Sequence, residues 1–454
     1  MKYFPYLSFV VIGISIYLNS ISLPDILFLV VGSVITIPIT LQFPFKQNLA
    51  KYVVLLANWI SVVLMPALHL CERGGEVFTS VDYNRLTSFG AKVFLITSLS
   101  VLIVGLLGNK KKTTVVSYTP RPLSKSFFYK FFALAFLLTG VSYTLGLGKM
   151  GADAVVLPFH LGGFINIFRS SIVATMFAII VENHILRKVK VPKSLYVVFL
   201  LWTLFEVIAW LSKSKLTSSF LPVFVILYLY YKPNLKTIGK YILPFVVAVL
   251  LMYPIIGAMR HYQTGSLSKD IFEARAEVSD SEEHFYLLSP LNRIFMTGHQ
   301  YMADFSYFNS DALFDFSRLG TIMAIGGSAS YQTFVIDGFQ PGVNHSSGSS
   351  GLMDPILVGG LGLCLLMILL NTIFAAYVDN SFSKRQYVIY FVLLMLVFQF
   401  SVQYNVSIFF NGVGFQYLLG RIVVIIVAYK LNYNRRIKYI IQEKNNKVLP
   451  FKLQ

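Results

Sequence analysis

Runs such as FFALAFLLTGVSYTL (131–145) constrain this chain more than any other feature. They approach the roughly 20 apolar residues that carry a helix across a bilayer, and they do not alternate as barrel strands do. In hydrocarbon a backbone finds partners only within its own helix or in a closed barrel, so these runs read as membrane-spanning helices. Composition agrees. The 454 residues are 56% hydrophobic and 13% charged, whereas soluble domains carry about 25% charged residues. The fold class expected is an all-α polytopic membrane protein.

The apolar blocks give about twelve spans of the required length. They lie near 4–19, 24–42, 52–70, 89–108, 127–146, 169–186, 195–211, 216–232, 241–258, 354–378, 387–402 and 413–430. Residues 1–258 thus hold nine helices, 259–353 one large extracytoplasmic loop, 354–430 three more helices, and 431–454 a basic cytoplasmic tail. The start MKYFPYLSFVVIGISIYL lacks a clear small-residue cleavage site and reads as a retained first helix. Cys71 and Cys364 lie far apart, which offers neither a disulfide framework nor metal-ligand spacing. No nucleotide loop, zinc motif or internal repeat is evident, so neither a metal nor a cofactor is expected.

Charge orients the bundle. With both termini in the cytoplasm, one side collects Lys46, Lys51, Lys110, Lys111, Lys112, Arg121, Lys125, Arg187, Lys188, Lys190, Lys193, Lys232, Lys236, Lys240, Lys384, Arg385 and the tail. Cytoplasmic loops carry this excess of Lys and Arg. The net charge of +18 then reflects loops facing anionic membrane lipid and calls for no nucleic acid. The tail, with basic and apolar residues interleaved, reads as a segment lying on the membrane surface.

The loop 259–353 departs from the apolar background, holding ten of the twenty acidic residues and four of the seven histidines. Loops longer than about 15 residues usually serve a function or are disordered; helix-forming stretches and frequent aromatics make this one partly ordered. Cations gather near its ends. Arg260 closes the ninth span, Arg293 and His299 lie within the loop, and Lys213 and Lys215 occupy an outer turn. Arg169 is expected to open the sixth span, and Arg421 lies inside the last, where Glu206 is a candidate ion-pair partner. A charge within a span usually faces a cavity or a partner. Several cations at one membrane face suit an anionic head group: arginine offers a planar fork to phosphate oxygens and lysine a compact charge. His345 stands in NHSSGSSGLMDPILVGGLG, a serine- and glycine-rich stretch that leads through Asp354 and Pro355 into a helix. A histidine of ordinary basicity is a suitable proton acceptor, and the small residues around it let a sugar approach.

In order along the chain, LSKSKLTSSFLPVFVILYLYY, IIGAMRHYQTG, NHSSGSSGLMDPILVGGLGL and LLGRIVVIIV resemble the bacterial O-antigen and oligosaccharide repeat-unit polymerases (Wzy type), relatives of the O-antigen ligases. The resemblance covers about residues 205–430. It implies a GT-C-like integral-membrane glycosyltransferase in the bacterial inner membrane. The donor would be a growing glycan on undecaprenyl pyrophosphate and the acceptor one lipid-linked repeat unit, with a chain-length regulator as a candidate partner. It places catalytic roles on His345 (base), Arg260 and Arg421, and pyrophosphate binding on Lys215 or Lys213; the outer-face cations Arg293 and Arg169 are added to the pyrophosphate-binding set on their charge and position. His299 and Asp304, at helical spacing, form a reserve acid/base pair. Ligases put about nine residues between the histidine pair and GxxG; here twelve separate His345-Ser346 from Gly359-Gly360-Leu361-Gly362. That spacing makes ligase the weaker identity. A polysaccharide transporter or flippase is the third reading, although repeated halves with matching broken helices are not seen.

Overall fold

The computed structural model of the chain describes residues 3–18, 21–64, 67, 83–107, 115–147, 157–158, 161–210, 219–227, 247, 251, 255, 313–324, 353–382, 386–403, 412–433, 435–440 and 449–450. Helices dominate. In chain order they are α1 (Phe4–Leu18), α2 (Leu23–Gln42), α3 (Leu49–Trp59, running on through a π turn Ile60–Leu64) and α4 (Tyr83–Leu107). Then come α5 (Lys125–Thr144), α6 (Leu161–Leu186), α7 (Lys193–Trp210) and the short α8 (Leu319–Ala324), followed by α9 (Met353–Phe382), α10 (Tyr387–Gln403) and α11 (Gly412–Asn432).

Among the described residues six helices are long and apolar enough to cross a membrane: α2, Thr87–Leu107 of α4, Ser126–Thr144 of α5, α6, α7, and Pro355–Asn380 of α9. Phe4–Tyr17, Leu49–Leu64 and Tyr387–Phe398 are shorter apolar helices. These segments fall on the apolar blocks of the sequence. Of the expected eighth span residues 219–227 are described and are helical, and of the ninth only 247, 251 and 255 are described. Helix starts follow local chemistry. Ser22 accepts from the Asp25 N–H at 3.4 Å to cap α2, and Ser124 accepts from the Phe127 N–H at 3.2 Å to cap α5.

Lipid is as apolar as leucine, so helices in a bilayer hold together through close packing and polar contacts. Small residues permit that approach here. A Cβ on Gly32 would lie 2.8 Å from the Phe94 ring, and one on Gly90 would lie 2.5 Å from the Val62 carbonyl oxygen. Buried hydroxyls and amides add specific links: Ser8 with Ser33 at 2.7 Å, Trp59 Nε1 to Ser8 at 3.1 Å, and Asn58 to Thr97 at 3.1 Å. One apolar core joins α1 to α4 with the first half of α9, and a second joins α5, α6, α7 and α11 with α10. A smaller cluster, including Ala50, Val54, Ala375, Val378 and Tyr390, bridges them.

Two buried carboxylates fix one face of this assembly. Asp379, near the end of α9, accepts from the N–H groups of Ala50 and Lys51 at 2.9 and 3.1 Å and from the Tyr390 hydroxyl at 2.9 Å. Glu182, near the end of α6, accepts from the Val388 N–H at 3.2 Å, from Asn432 at 2.9 Å and from the Tyr433 hydroxyl at 2.6 Å. Each therefore satisfies the open N–H groups at the start of another helix, α3 in one case and α10 in the other. Asn183 donates to the Arg121 carbonyl at 3.1 Å. The helix ends that the charge pattern assigns to one side of the membrane thus meet at one face.

The same face carries, among the described residues, a departure from an all-α chain. Strands β1 (Val115–Thr119), β2 (Arg435–Ile440) and β3 (Leu449–Pro450) form an antiparallel sheet in that order, with Val115 opposite Tyr439 and Thr119 opposite Arg435. Part of the basic tail, expected to lie on the membrane surface, is therefore a strand. Its mixture of basic residues with Ile and Tyr suits one, and β1 is rich in β-branched and aromatic residues.

Asp379→Ala leaves two backbone N–H groups and a tyrosine hydroxyl without their acceptor. We expect a loss of at least about 2–3 kcal/mol, read as a lower unfolding midpoint of the purified protein, and a smaller loss for Asp379→Asn. An unchanged midpoint for Asp379→Ala would contradict the capping role.

Candidate functional site

Of the residues that the sequence nominates, Arg169 and Arg421 lie in the described part of the chain. His345, Arg260, Lys215, Lys213, Arg293, His299 and Asp304 lie outside the described residues. The site is therefore built from the two arginines and their surroundings.

Arg169 does not open a span. Helix α6 begins at Leu161, which puts Arg169 about two turns inside it, within a π turn Phe168–Ile172. The segment LGGFINI before it is apolar enough to extend the helix past the charge. Single π turns inside α-helices are frequent at functional positions. The side chain is fully buried, at 0% exposure. Its Nε donates to Glu206 Oε2 at 3.1 Å, and its Nη1 donates to the Leu147 carbonyl at 3.4 Å. The guanidinium lies 5.1 Å from the centre of the Trp210 ring, a separation at which a cation is attracted to an aromatic face.

Glu206, on α7, is held as closely. Oε2 also accepts from Thr139 on α5 at 2.9 Å, and Oε1 accepts from Trp210 Nε1. Trp202 Nε1 in turn donates to Thr139 at 3.2 Å. The pair links α5, α6 and α7 at one depth. Glu206 thus pairs with Arg169, where the sequence reading considered Arg421. A buried charge is stable only with a partner and further hydrogen bonds, and both members of this pair have them.

The pair is not fully saturated. Arg169 Nη2, Asn166 Oδ1 and Ser170 Oγ are buried without a hydrogen-bond partner. Positions 166, 169 and 170 stand three and four residues apart, so they share one face of α6. Around a balanced ion pair this stripe offers both donors and acceptors, a combination that suits hydroxyl or amide groups better than a second net charge.

Arg421 is half-buried on α11. A Cβ on Gly420 would lie 2.6 Å from Ile167 Cγ2, and lower down Asn432 donates to the Ile179 carbonyl at 3.1 Å. Both contacts give one offset, so α6 and α11 run parallel and Arg421 lies level with Arg169. Both arginines stand well away from the face fixed by Glu182 and Asp379.

A second feature lies at the far end of α9, after the His345 region. The helix is interrupted at Gly359 (φ −156°, ψ 16°) and Gly360 (φ 80°, ψ −174°). The Gly360 backbone is one that residues with a Cβ rarely adopt. Residues 313–318 run beside this break. The Asp315 N–H donates to the Gly359 carbonyl at 3.3 Å, and the Gly362 N–H donates to the Leu313 carbonyl at 2.6 Å. The sequence singles out Gly359, Gly360 and Gly362 as a motif but not as a helix break.

Among the described residues no group of three or more His, Cys, Asp or Glu side chains is placed to hold a metal ion. The chain matches no protein-family model, no curated protein and no solved structure.

Glu206→Ala strands the Arg169 charge in a dry interior. We expect a destabilisation of about 3–5 kcal/mol, with a smaller loss for the double replacement Arg169→Leu and Glu206→Leu. A double-mutant cycle on thermal unfolding reads the difference; additive losses would show that the two side chains do not act as a pair.

Proposed function

We propose that the chain is an integral-membrane glycosyltransferase that extends undecaprenyl-pyrophosphate-linked oligosaccharide repeat units into surface polysaccharide. Its setting is the bacterial inner membrane, with both termini in the cytoplasm and the reaction at the outer face. The observation that carries this reading is Arg421, an always-charged side chain on α11, level with Arg169 of the membrane-crossing helix α6 and remote from the face of basic connections. A charge at that depth faces a cavity or a partner, and a pyrophosphate head group entering from the outer leaflet is a partner that suits a guanidinium.

In the proposed reaction an acceptor hydroxyl attacks the anomeric carbon of the donor sugar. The new C–O bond forms as the bond from that carbon to the pyrophosphate oxygen breaks. His345 takes the hydroxyl proton. The leaving pyrophosphate carries the developing negative charge, and fixed cations aimed at it lower the barrier. Arg260 and Arg421 are assigned that task, with Lys215, Lys213 and Arg293 binding the diphosphate and His299 and Asp304 in reserve. Arg169 leaves the direct-contact set, since Glu206 balances its charge. Its part is to hold α6 against α5 and α7.

An O-antigen ligase shares this chemistry and differs in acceptor. The transporter or flippase reading draws support from a separate observation, the break in α9, because transporters use discontinuous helices at their binding sites.

Proteoliposomes supplied with undecaprenyl-pyrophosphate oligosaccharide distinguish the three. A ladder of longer glycans marks a polymerase, transfer to lipid A-core a ligase, and leaflet exchange without extension a transporter. We expect a ladder, reduced at least about 100-fold by Arg421→Ala with the protein still in the membrane. A wild-type ladder from that variant would overturn the role given to Arg421.

A further inference from the structure

The segment Leu313–Ala324 belongs to the long loop that the sequence places outside the membrane, yet its partners lie within a span. Gly359 and Gly362 stand four and seven residues past Pro355, where the apolar window of α9 begins. At 1.5 Å per residue they lie about 6–10 Å inside the end of that window. The loop chain is hydrogen-bonded to both, through Asp315 to Gly359 and Leu313 to Gly362.

Irregular backbone survives at membrane depth only where protein satisfies its polar groups. Here the break in α9 and the loop segment satisfy each other. The absence of side chains on the glycines makes the approach possible: a Cβ on Gly359 would lie 2.6 Å from the Phe316 ring, and one on Gly362 would lie 2.6 Å from the Phe314 ring. The charges in the segment are also neutralised locally. Asp315 accepts from the Ser317 N–H at 3.0 Å and from its hydroxyl at 2.6 Å, and Arg318 lies 3.6 Å from the same carboxylate.

Ile322 is buried in the core shared by α1 to α4 and α9. Leu313, Phe314, Phe316 and Met323 instead are each more than half exposed. Exposed Leu366, Leu369, Leu370 and Ile373 continue the apolar surface along the same helix α9. An apolar surface continuous with that of a membrane-crossing helix, at the same depth, is a surface for hydrocarbon.

We infer that residues 313–324 form a re-entrant strap embedded in the membrane, with Leu313, Phe314, Phe316 and Met323 in contact with the acyl chains of the bilayer. The strap rests on the glycine break of α9 and lies at the end of the bundle opposite Asp379. It holds whether the chain polymerises glycans or moves them.

The test places a fluorescent, genetically encoded aromatic amino acid at Phe314 and, separately, at Met323, in the full-length protein reconstituted into phosphatidylcholine vesicles. Met323 does not face a glycine, so its replacement spares the seat should the change at Phe314 disturb it. Nitroxide-labelled phosphatidylcholine probes the hydrocarbon and iodide probes the water. We expect at least a twofold loss of emission with the nitroxide lipid and little loss with iodide at both positions. Quenching by iodide and not by the nitroxide lipid would place the strap in water. Resistance to both would bury it under protein. Either result overturns the inference.

Discussion

Hydrocarbon solvates no polar group, and the rest of this structure depends on that. An unpaired backbone or side-chain polar group there costs several kcal/mol. The chain meets the demand in three ways. Regular helices satisfy their own backbone. Where a helix is interrupted, as α9 is at Gly359 and Gly360, a second stretch of chain supplies the missing partners. Where a charge enters a span, as Arg169 does, a carboxylate and hydrogen bonds from neighbouring helices receive it.

The two faces of the bundle are built differently as a result. At one face Glu182 and Asp379 act alike: each sits near the end of one helix, caps the start of another, and receives a tyrosine hydroxyl. These staples join the two apolar cores into one body. Toward the other end the polar groups gather around an ion pair. Arg169 Nη2, Asn166 and Ser170 line one side of α6 with unmet capacity, and α6 departs from α-helical geometry there. One face is thus stapled by carboxylates that cap neighbouring helices, and the other carries an ion pair within an irregular stretch of helix, where the proposed chemistry belongs.

Much of this was legible in the sequence. Long apolar runs identify the helices because their length matches the bilayer, and the basic connections group the helix ends that meet at Glu182 and Asp379. The start of α6 was less legible: Arg169 reads as a boundary, but the apolar LGGFINI before it continues the helix. Residues 166, 169 and 170 did carry a helical spacing that could have marked a polar stripe. The pairing of Arg169 with Glu206 is a matter of helix neighbours, and one sequence does not say that α6 and α7 present these residues at equal depth. The strand β2 hid within a basic tail because Arg and Lys among Ile and Tyr suit a membrane surface and a strand equally. The glycine motif of α9 was visible, while its use as a seat for residues 313–318 depends on a contact between distant parts of the chain.

The proposed function depends on where a diphosphate head group meets the protein. An experimental structure of the protein in lipid nanodiscs with a bound undecaprenyl-pyrophosphate oligosaccharide measures this directly. The expected result is a guanidinium nitrogen of Arg421 within about 3 Å of a phosphate oxygen, with Arg169 still on Glu206. A diphosphate seated elsewhere, with Arg421 turned wholly onto protein groups, would contradict the account.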